Sequence, residues 1–353
     1  MLLVLVMAAA IWGVGVLTGA PKQMRWVMIG VLYLAVLGLQ LALPDGHSLR
    51  MATGESPALW ALIGAAVVLV WAYRRGLETL RRKAEEKVET SMVDAPQGPF
   101  SETELNRYAR HIVLREMGGL GQKKLKDAKV LVVGAGGLGS PVLLYLAAAG
   151  VGTIGVVDDD VVDNSNLQRQ VIHPDRMIGE PKVFSAAGAM QAQNPFVTVK
   201  PYHRRLSEDD AGQLIAEYDL VLDGTDNFDT RYLVNRTCVA LGKPLISGAL
   251  SQWEGQLSVF DPAHGAPCYQ CIFDTPPAPE LAPSCSEAGV IGPLPGIVGT
   301  MMAVEAIKLI TGAGAVLRGE MMIYDALWGE TRKITLKRRA DCPTCGGEKP
   351  TSV

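Results

Sequence analysis

Two C-x-x-C pairs, Cys268 with Cys271 and Cys342 with Cys345, stand about 70 residues apart in this sequence. Two such pairs can close a tetrahedral thiolate site when the fold returns the second to the first, and that pattern suits structural zinc. A redox role is the weaker reading, because no thioredoxin-like context surrounds either pair. A second constellation points to phosphate. Residues 129–133 form an apolar run that leads into Gly134, Gly136, Gly137 and Gly139, followed by a helical stretch at 141–149. Strand, glycine turn and helix N-terminus together present free backbone N–H groups and the positive end of a helix dipole. A second strand at 153–157 ends in Asp158, near the spacing at which an acid holds a ribose hydroxyl.

The residues that follow argue for a triphosphate over a nicotinamide. The run Asn164, Ser165, Asn166, Leu167, Gln168, Arg169, Gln170 precedes Lys182, and a strand at 218–222 leads to Asp223, Asp226 and Asn227. A guanidinium and an ammonium near phosphates stabilise charge that grows on a leaving group. Carboxylates at the C-terminal end of a strand suit Mg²⁺. Singly, Arg169, Lys182 and Asp226 read as surface ion pairs; as an ordered set behind a glycine loop they read as an ATP site. Asp159 reads as a solvated loop residue.

The elements that position these groups belong to a soluble α/β part, expected as a Rossmann-like sheet with helices on both faces. Ahead of it lie three uncharged apolar runs, at 2–19, 26–43 and 58–73. Each is near the short end of what spans a bilayer, and their presence accounts for the mean hydropathy of +0.19. No basic region precedes the first run, as a signal peptide would require. The expected organisation is a membrane anchor of about three transmembrane helices at 1–75, a charged helix and linker at 76–100, and the catalytic domain at 101–353. Lys22 and Arg25 lie in the first loop, and Arg74, Arg75, Arg81, Arg82 and Lys83 follow the third run. The positive-inside rule then places the catalytic domain in the cytoplasm and the N-terminus outside, in a multi-pass protein of the inner membrane. With 33 basic and 36 acidic residues the chain has a net charge of −3 and no long basic block, so no nucleic-acid partner is expected.

The stretches Arg107 to Arg115, GAGGLGSP at 134–141, NSNLQRQ at 164–170 and DGTDN at 223–227 resemble the MoeB/ThiF/HesA family, relatives of ubiquitin-activating enzymes. SGALSQWEGQLSVF at 247–260, PCYQC at 267–271, PSCSEAGV at 283–290 and DCPTC at 341–345 extend the likeness across residues 101–346. The resemblance implies ATP-dependent adenylation of the C-terminal glycine of a ubiquitin-like sulfur-carrier protein, with release of pyrophosphate. It also implies roles: Gly137 behind the phosphates, Asp158 on the ribose, Ser165 to Arg169 lining the nucleotide, and Lys182 on phosphate. Asp226 would manage Mg²⁺ and the α-phosphate beside Asn227. Arg110 matches an arginine that reaches into the neighbouring subunit's site, which implies a homodimer.

Cys285 aligns with a crossover-loop cysteine that some members use in sulfur transfer and others do not need; an inert thiol is the other reading. Cys238 and the pair Met301 and Met302 read as core. The short stretch after Cys345 leaves no room for the sulfurtransferase domain of some relatives, so a separate sulfur donor is expected. The leading reading is a MoeB-like enzyme acting on a MoaD-like carrier in molybdopterin synthesis. Alternatives are activation of a ThiS-like carrier for thiamine, adenylation of another carboxylate, a non-catalytic membrane-bound nucleotide-binding protein, and a nicotinamide oxidoreductase.

Overall fold

The computed structural model describes residues 2–54, 56–93, 98–277 and 288–347, with the side chains of 78 and 80–93 excepted. The chain forms two compact units, Met1–Pro96 and Gln97–Val353.

The first unit is helical: α1 (Leu2–Leu17), α2 (Lys22–Ala42), α3 (Ser48–Thr53) and α4 (Pro57–Val93). A small core of Val4, Val36 and Trp60 joins α1, α2 and α4. Tyr33 donates to the Trp60 carbonyl at 2.7 Å, and Gln40 Nε2 donates to Thr53 Oγ1 at 2.8 Å. Lys22–Ala42 and Ser48–Leu77 are long and apolar enough to cross a membrane, whereas α1 is a shorter apolar helix. The apolar run at 58–73 and the charged helix expected after it form one helix, α4, unbroken to Val93. The run from Leu77 through Thr90 contains no proline and only helix-tolerant residues, so nothing in it stops the helix.

The second unit carries an eight-stranded sheet in the order β3-β2-β1-β4-β5-β6-β7-β8. Its strands are β1 (Lys129–Val133), β2 (Thr153–Asp158), β3 (Thr198–His203), β4 (Leu220–Asp223), β5 (Leu245–Leu250), β6 (Glu254–Phe260), β7 (Glu320–Asp325) and β8 (Glu330–Thr335). The first five are parallel and the last three antiparallel. The strand expected at 218–222 begins two residues later, because the Tyr218 N–H is bonded back to the Ile215 carbonyl in the turn ahead of the strand.

Strand β1 shows why both faces are covered. Val130 and Val132 enter one core with α6 (Gly118–Asp127), α7 (Gly139–Ala149), α8 (Lys182–Gln193) and α12 (Pro293–Thr311). Leu131 and Val133 enter a second core with α9 (Glu208–Ala216) and α10 (Phe228–Ala240). Alternation of side chains along a strand makes one five-residue run serve two layers. The short α11 (Tyr269–Ile272) carries the first cysteine pair. The Rossmann-like α/β expectation is met in this unit.

Helix α12 is also apolar enough to cross a membrane by length and composition. Half of it is buried against α7, α6, β5 and β6, so its hydropathy reflects packing inside the domain. Met301 and Met302 lie within this helix, and Met302 is fully buried, as a core residue should be.

Candidate nucleotide site

In the sheet order, the chain leaves β1 toward β2 on one side and returns to β4 on the other. The C-terminal ends of β1 and β4 therefore diverge at a topological switch point, where open α/β sheets bind ligands. The glycine loop leaves β1 there. Gly134 takes φ of 95°, a left-handed value that favours glycine. Gly139 opens α7 so close to the start of the turn that a Cβ on it would lie 2.0 Å from the Gly134 carbonyl oxygen. Only a hydrogen fits.

Each wall of the loop is a segment singled out in the sequence. A Cβ on Gly137 would approach Arg169 Cγ at 3.7 Å and Pro295 of α12 at 3.0 Å, and one on Gly136 would approach Gln170 Nε2 at 3.6 Å. On the other side, a Cβ on Gly134 would meet Gly224 and Thr225 at 3.2 and 3.4 Å. The 164–170 and 223–227 segments thus flank the glycine loop directly.

Asp158 closes the floor. Its two carboxylate oxygens accept from the backbone N–H of Ala135 at 2.7 Å and of Asp160 at 2.8 Å. Burial pushes its pKa upward against those two hydrogen bonds and the nearby Lys182 charge. Each oxygen retains a free lone pair, so a ribose hydroxyl can still donate there. Lys182, the first residue of α8, is buried, and its Nζ pairs with Asp160 at 2.8 Å. Asp160 is largely solvent-exposed and can swing away when a stronger anion arrives.

Ser165, Asn166 and Leu167 follow an Asx turn in which Asp163 accepts from Ser165 N–H at 2.8 Å. That turn presents Gln168 and Arg169, and Arg169 donates weakly to the Ser165 carbonyl at 3.3 Å. Gln168 lies against Gly292 just before α12. Asn227 caps α10 by accepting from Thr230 N–H at 2.8 Å, so its side-chain oxygen is engaged in structure. Asp226 is exposed and makes no side-chain hydrogen bond among the described residues, which leaves both oxygens available to a cation.

Two residues absent from the sequence reading hold the loops. Arg231, buried on α10, donates to Asp223 at 3.2 Å, to Ser247 Oγ at 2.8 Å, and to the carbonyls of Gly248 at 2.7 Å and of Thr225. Asp223 in turn accepts from Thr225 N–H at 3.0 Å and from its hydroxyl at 2.6 Å. This buried network fixes the loop that displays Asp226. A buried ion pair with its other donors and acceptors filled is costly to break from one side only. His173 likewise holds the glycine loop, its Nε2 lying 2.9 Å from the Ala135 carbonyl oxygen. Its only sequence signal is its place in a run of site residues, between Gln170 and Lys182.

Arg110 is not brought to the site of its own chain. Its helix, α5 (Glu102–Ile112), is anchored at the opposite end of α7 and α8. Arg107 reaches the Gln193 carbonyl at 2.6 Å, Tyr108 accepts from Asn194, and His111 contacts Gln122, which donates to the Ala149 carbonyl. One helix length, about 16 Å for the eleven residues of α7, separates that end from the glycine loop.

Cys268, Cys271, Cys342 and Cys345 come together with all four Sγ atoms within 4.8 Å of one another and buried. Individual Sγ separations of 3.9, 3.6 and 3.3 Å bracket the spacing of about 3.8 Å that tetrahedral Zn–S bonds of about 2.3 Å require. The Arg339 N–H points at Cys271 Sγ at 3.5 Å, the kind of donor that stabilises a thiolate. The residues fit structural zinc. The cluster packs against Val239 at the C-terminal end of α10, whereas Asn227 at the other end of that helix borders the nucleotide site. The thiols therefore do not reach the phosphates. Cys238 is buried, and burial pushes its thiol pKa up, as suits an inert core residue. Cys285 lies outside the described residues.

Fold and site together define a nucleotide-binding α/β protein with a four-cysteine knot. The ThiF family model matches residues 108–344, and the chain belongs to this family. Over 253 residues it is 51% identical to the sulfur carrier protein adenylyltransferase of Thermus thermophilus, covering 70% of this chain and 93% of that protein. It is 50% identical over 251 residues to the probable adenylyltransferase/sulfurtransferase MoeZ of Mycobacterium tuberculosis, of which it spans 64%. Among solved structures, Escherichia coli MccB with ATP superposes with a TM-score of 0.61 at 25% identity, over 68% of this chain and 74% of MccB.

If the four thiols hold metal, protein purified without chelators will contain one zinc per chain by elemental analysis. Cys271→Ser will lose that zinc and unfold at a lower temperature.

Proposed function

We propose that this protein adenylates the C-terminal carboxylate of a ubiquitin-like sulfur-carrier protein, using ATP and releasing pyrophosphate. The observation that carries the reading is the convergence of the glycine loop, Asp158, Arg169, Lys182 and Asp226 on one switch point. A carboxylate oxygen of the carrier attacks the α-phosphorus, and the bond from that phosphorus to the bridging oxygen of pyrophosphate breaks. The nucleophile arrives already ionised, so the site needs no general base; it must align the reactants and stabilise charge. The loop amides and Lys182 take the phosphates, Arg169 covers the leaving group, and Asp158 accepts from the ribose. Asp226 would hold Mg²⁺ against the α-phosphate, the cation there offsetting phosphate charge.

The carrier we favour is MoaD-like, in molybdopterin synthesis. Carrier-dependent ATP–pyrophosphate exchange, run with MoaD-like and ThiS-like carriers separately, tests this. Exchange with the MoaD-like protein is expected; exchange with the ThiS-like one alone would move the protein to thiamine synthesis, and exchange with neither would defeat the reading. Asp226→Asn should lower the exchange rate by about 10² or more, the scale of a lost transition-state electrostatic contact. Unchanged exchange would remove Asp226 from the chemistry.

A homodimer in which Arg110 serves the partner's site follows from the same reading. Arg110 sits far from its own glycine loop, beside the exposed apolar side chains Val113, Leu114 and Leu120. Arg110→Ala mixed with Asp226→Asn should regain activity in the dimers that contain one intact site. No recovery would place Arg110 outside the reaction.

Membrane attachment of the first unit through α2 and α4, with the catalytic unit on the cytoplasmic face, is supported by their apolar lengths and by the basic residues after Tyr73. The full chain should stay with the membrane fraction through an alkaline carbonate wash. Extraction by that wash would exclude spanning helices.

A further inference from the structure

His173 is buried between the two phosphate-binding elements and touches both. Its Nε2 lies 2.9 Å from the carbonyl oxygen of Ala135, within the glycine loop, and its Nδ1 lies 3.0 Å from Ser185 Oγ on α8. A carbonyl can only accept, so Nε2 carries the proton, and Nδ1 then accepts from the Ser185 hydroxyl. One neutral tautomer satisfies every group. Burial holds the imidazole below its usual pKa, and the nearby Lys182 charge adds to that effect, while the Ala135 contact opposes it.

Ala135 is thereby held through both of the peptide groups that flank its Cα: Asp158 accepts from its N–H, and His173 Nε2–H donates a hydrogen bond to its C=O. Ser185 is also the third residue after Lys182, one helical turn along the same α8. Rotation of the Ala135 peptide would re-aim the following amides of the loop, and movement of α8 would shift the Lys182 ammonium. Among the described residues, no other side chain hydrogen-bonds to both.

We propose that His173 is a positioning residue that locks the glycine loop to the helix bearing Lys182, so that loop amides and ammonium meet the nucleotide phosphates as one rigid unit. The inference rests on the adenylation reading of this site and deepens it. His173 does not touch the nucleotide. It sets the orientation of one peptide plane and its distance to one helix, and the binding energy of the phosphates depends on both being set before ATP arrives.

The test measures binding of Mg-ATP and of adenosine to the full chain by titration calorimetry, in detergent and with its zinc. In His173→Ala, Mg-ATP should bind about tenfold more weakly, the order of one lost buried hydrogen bond. Adenosine, which reaches ribose and base contacts but no loop amide, should bind as before. His173→Gln places an amide N–H near the position of Nε2 and should restore most of the ATP affinity. Ser185→Ala, which keeps the imidazole but frees its tautomer, should show a smaller loss of ATP affinity and serves if His173→Ala does not fold. Equal loss of ATP and adenosine binding, no rescue by glutamine, or wild-type ATP affinity in both His173→Ala and Ser185→Ala would overturn the proposal. Failure of the wild-type protein to bind Mg-ATP at all would instead overturn the adenylation reading on which it stands.

Discussion

Everything at the nucleotide site depends on how tightly the chain can turn between β1 and α7. The carbonyl of Gly134 fills the space where any side chain at position 139 would begin. That contact lets α7 start within a few residues of the strand end and aims its first N–H groups across the crevice rather than into the sheet. A methyl group there would lift the helix away from its strand and displace the loop from Asp158, from the Arg169 segment and from the Thr225 segment together. The site is less a list of residues than three loops fitted around one turn that excludes a Cβ.

The loops are stiffened by different chemistry. The 223–227 segment is held by a buried ionic network, in which Arg231 spends four hydrogen bonds on groups from β4, β5 and the loop between. The glycine loop is held at Ala135 by a charged acceptor, Asp158, on its N–H and by a neutral donor, His173, on its C=O. Neither arrangement engages the side chain of Lys182 or Arg169, the cations proposed for the phosphates. Lys182 does rest against Asp160, but that carboxylate is solvated and its hold is weak compared with a polyphosphate.

Much of this was legible in the sequence because the relevant signals are local. A β-branched run ending in glycines, an acid at the next strand end and paired cysteines at ligand spacing each carry their meaning within a few residues. Strand β1 and the glycine loop stand where expected, and the two cysteine pairs meet. Arg231 and His173 were not legible, since their partners lie in other elements and nothing about a lone arginine on a helix or a lone histidine in a loop announces the peptide it grips. The start of β4 was displaced because Tyr218 is apolar enough to extend the run, although its ring turns into the lower core beside Tyr202. The charged helix expected after the third apolar run continues that run as one helix, because a change from apolar to charged residues alters what surrounds a helix without ending it. Arg110 illustrates the remaining limit. The resemblance assigns it to a neighbouring subunit's site, and its own fold sets it about a helix length from its own glycine loop.

Helix α12 raises a question of timing. It is apolar enough to be taken for a membrane segment, and it follows a unit rich in such segments. The elements it packs on, α6, α7, β4, β5 and β6, all precede it in the chain. During synthesis they have left the ribosome before α12 does, and domains fold as their N-terminal parts emerge. Most of the groove that covers its apolar face is therefore present before the helix is exposed, with Leu317 added after it. Sequence order alone gives this helix a protein surface to enter ahead of a lipid one, whatever the early apolar helices meet.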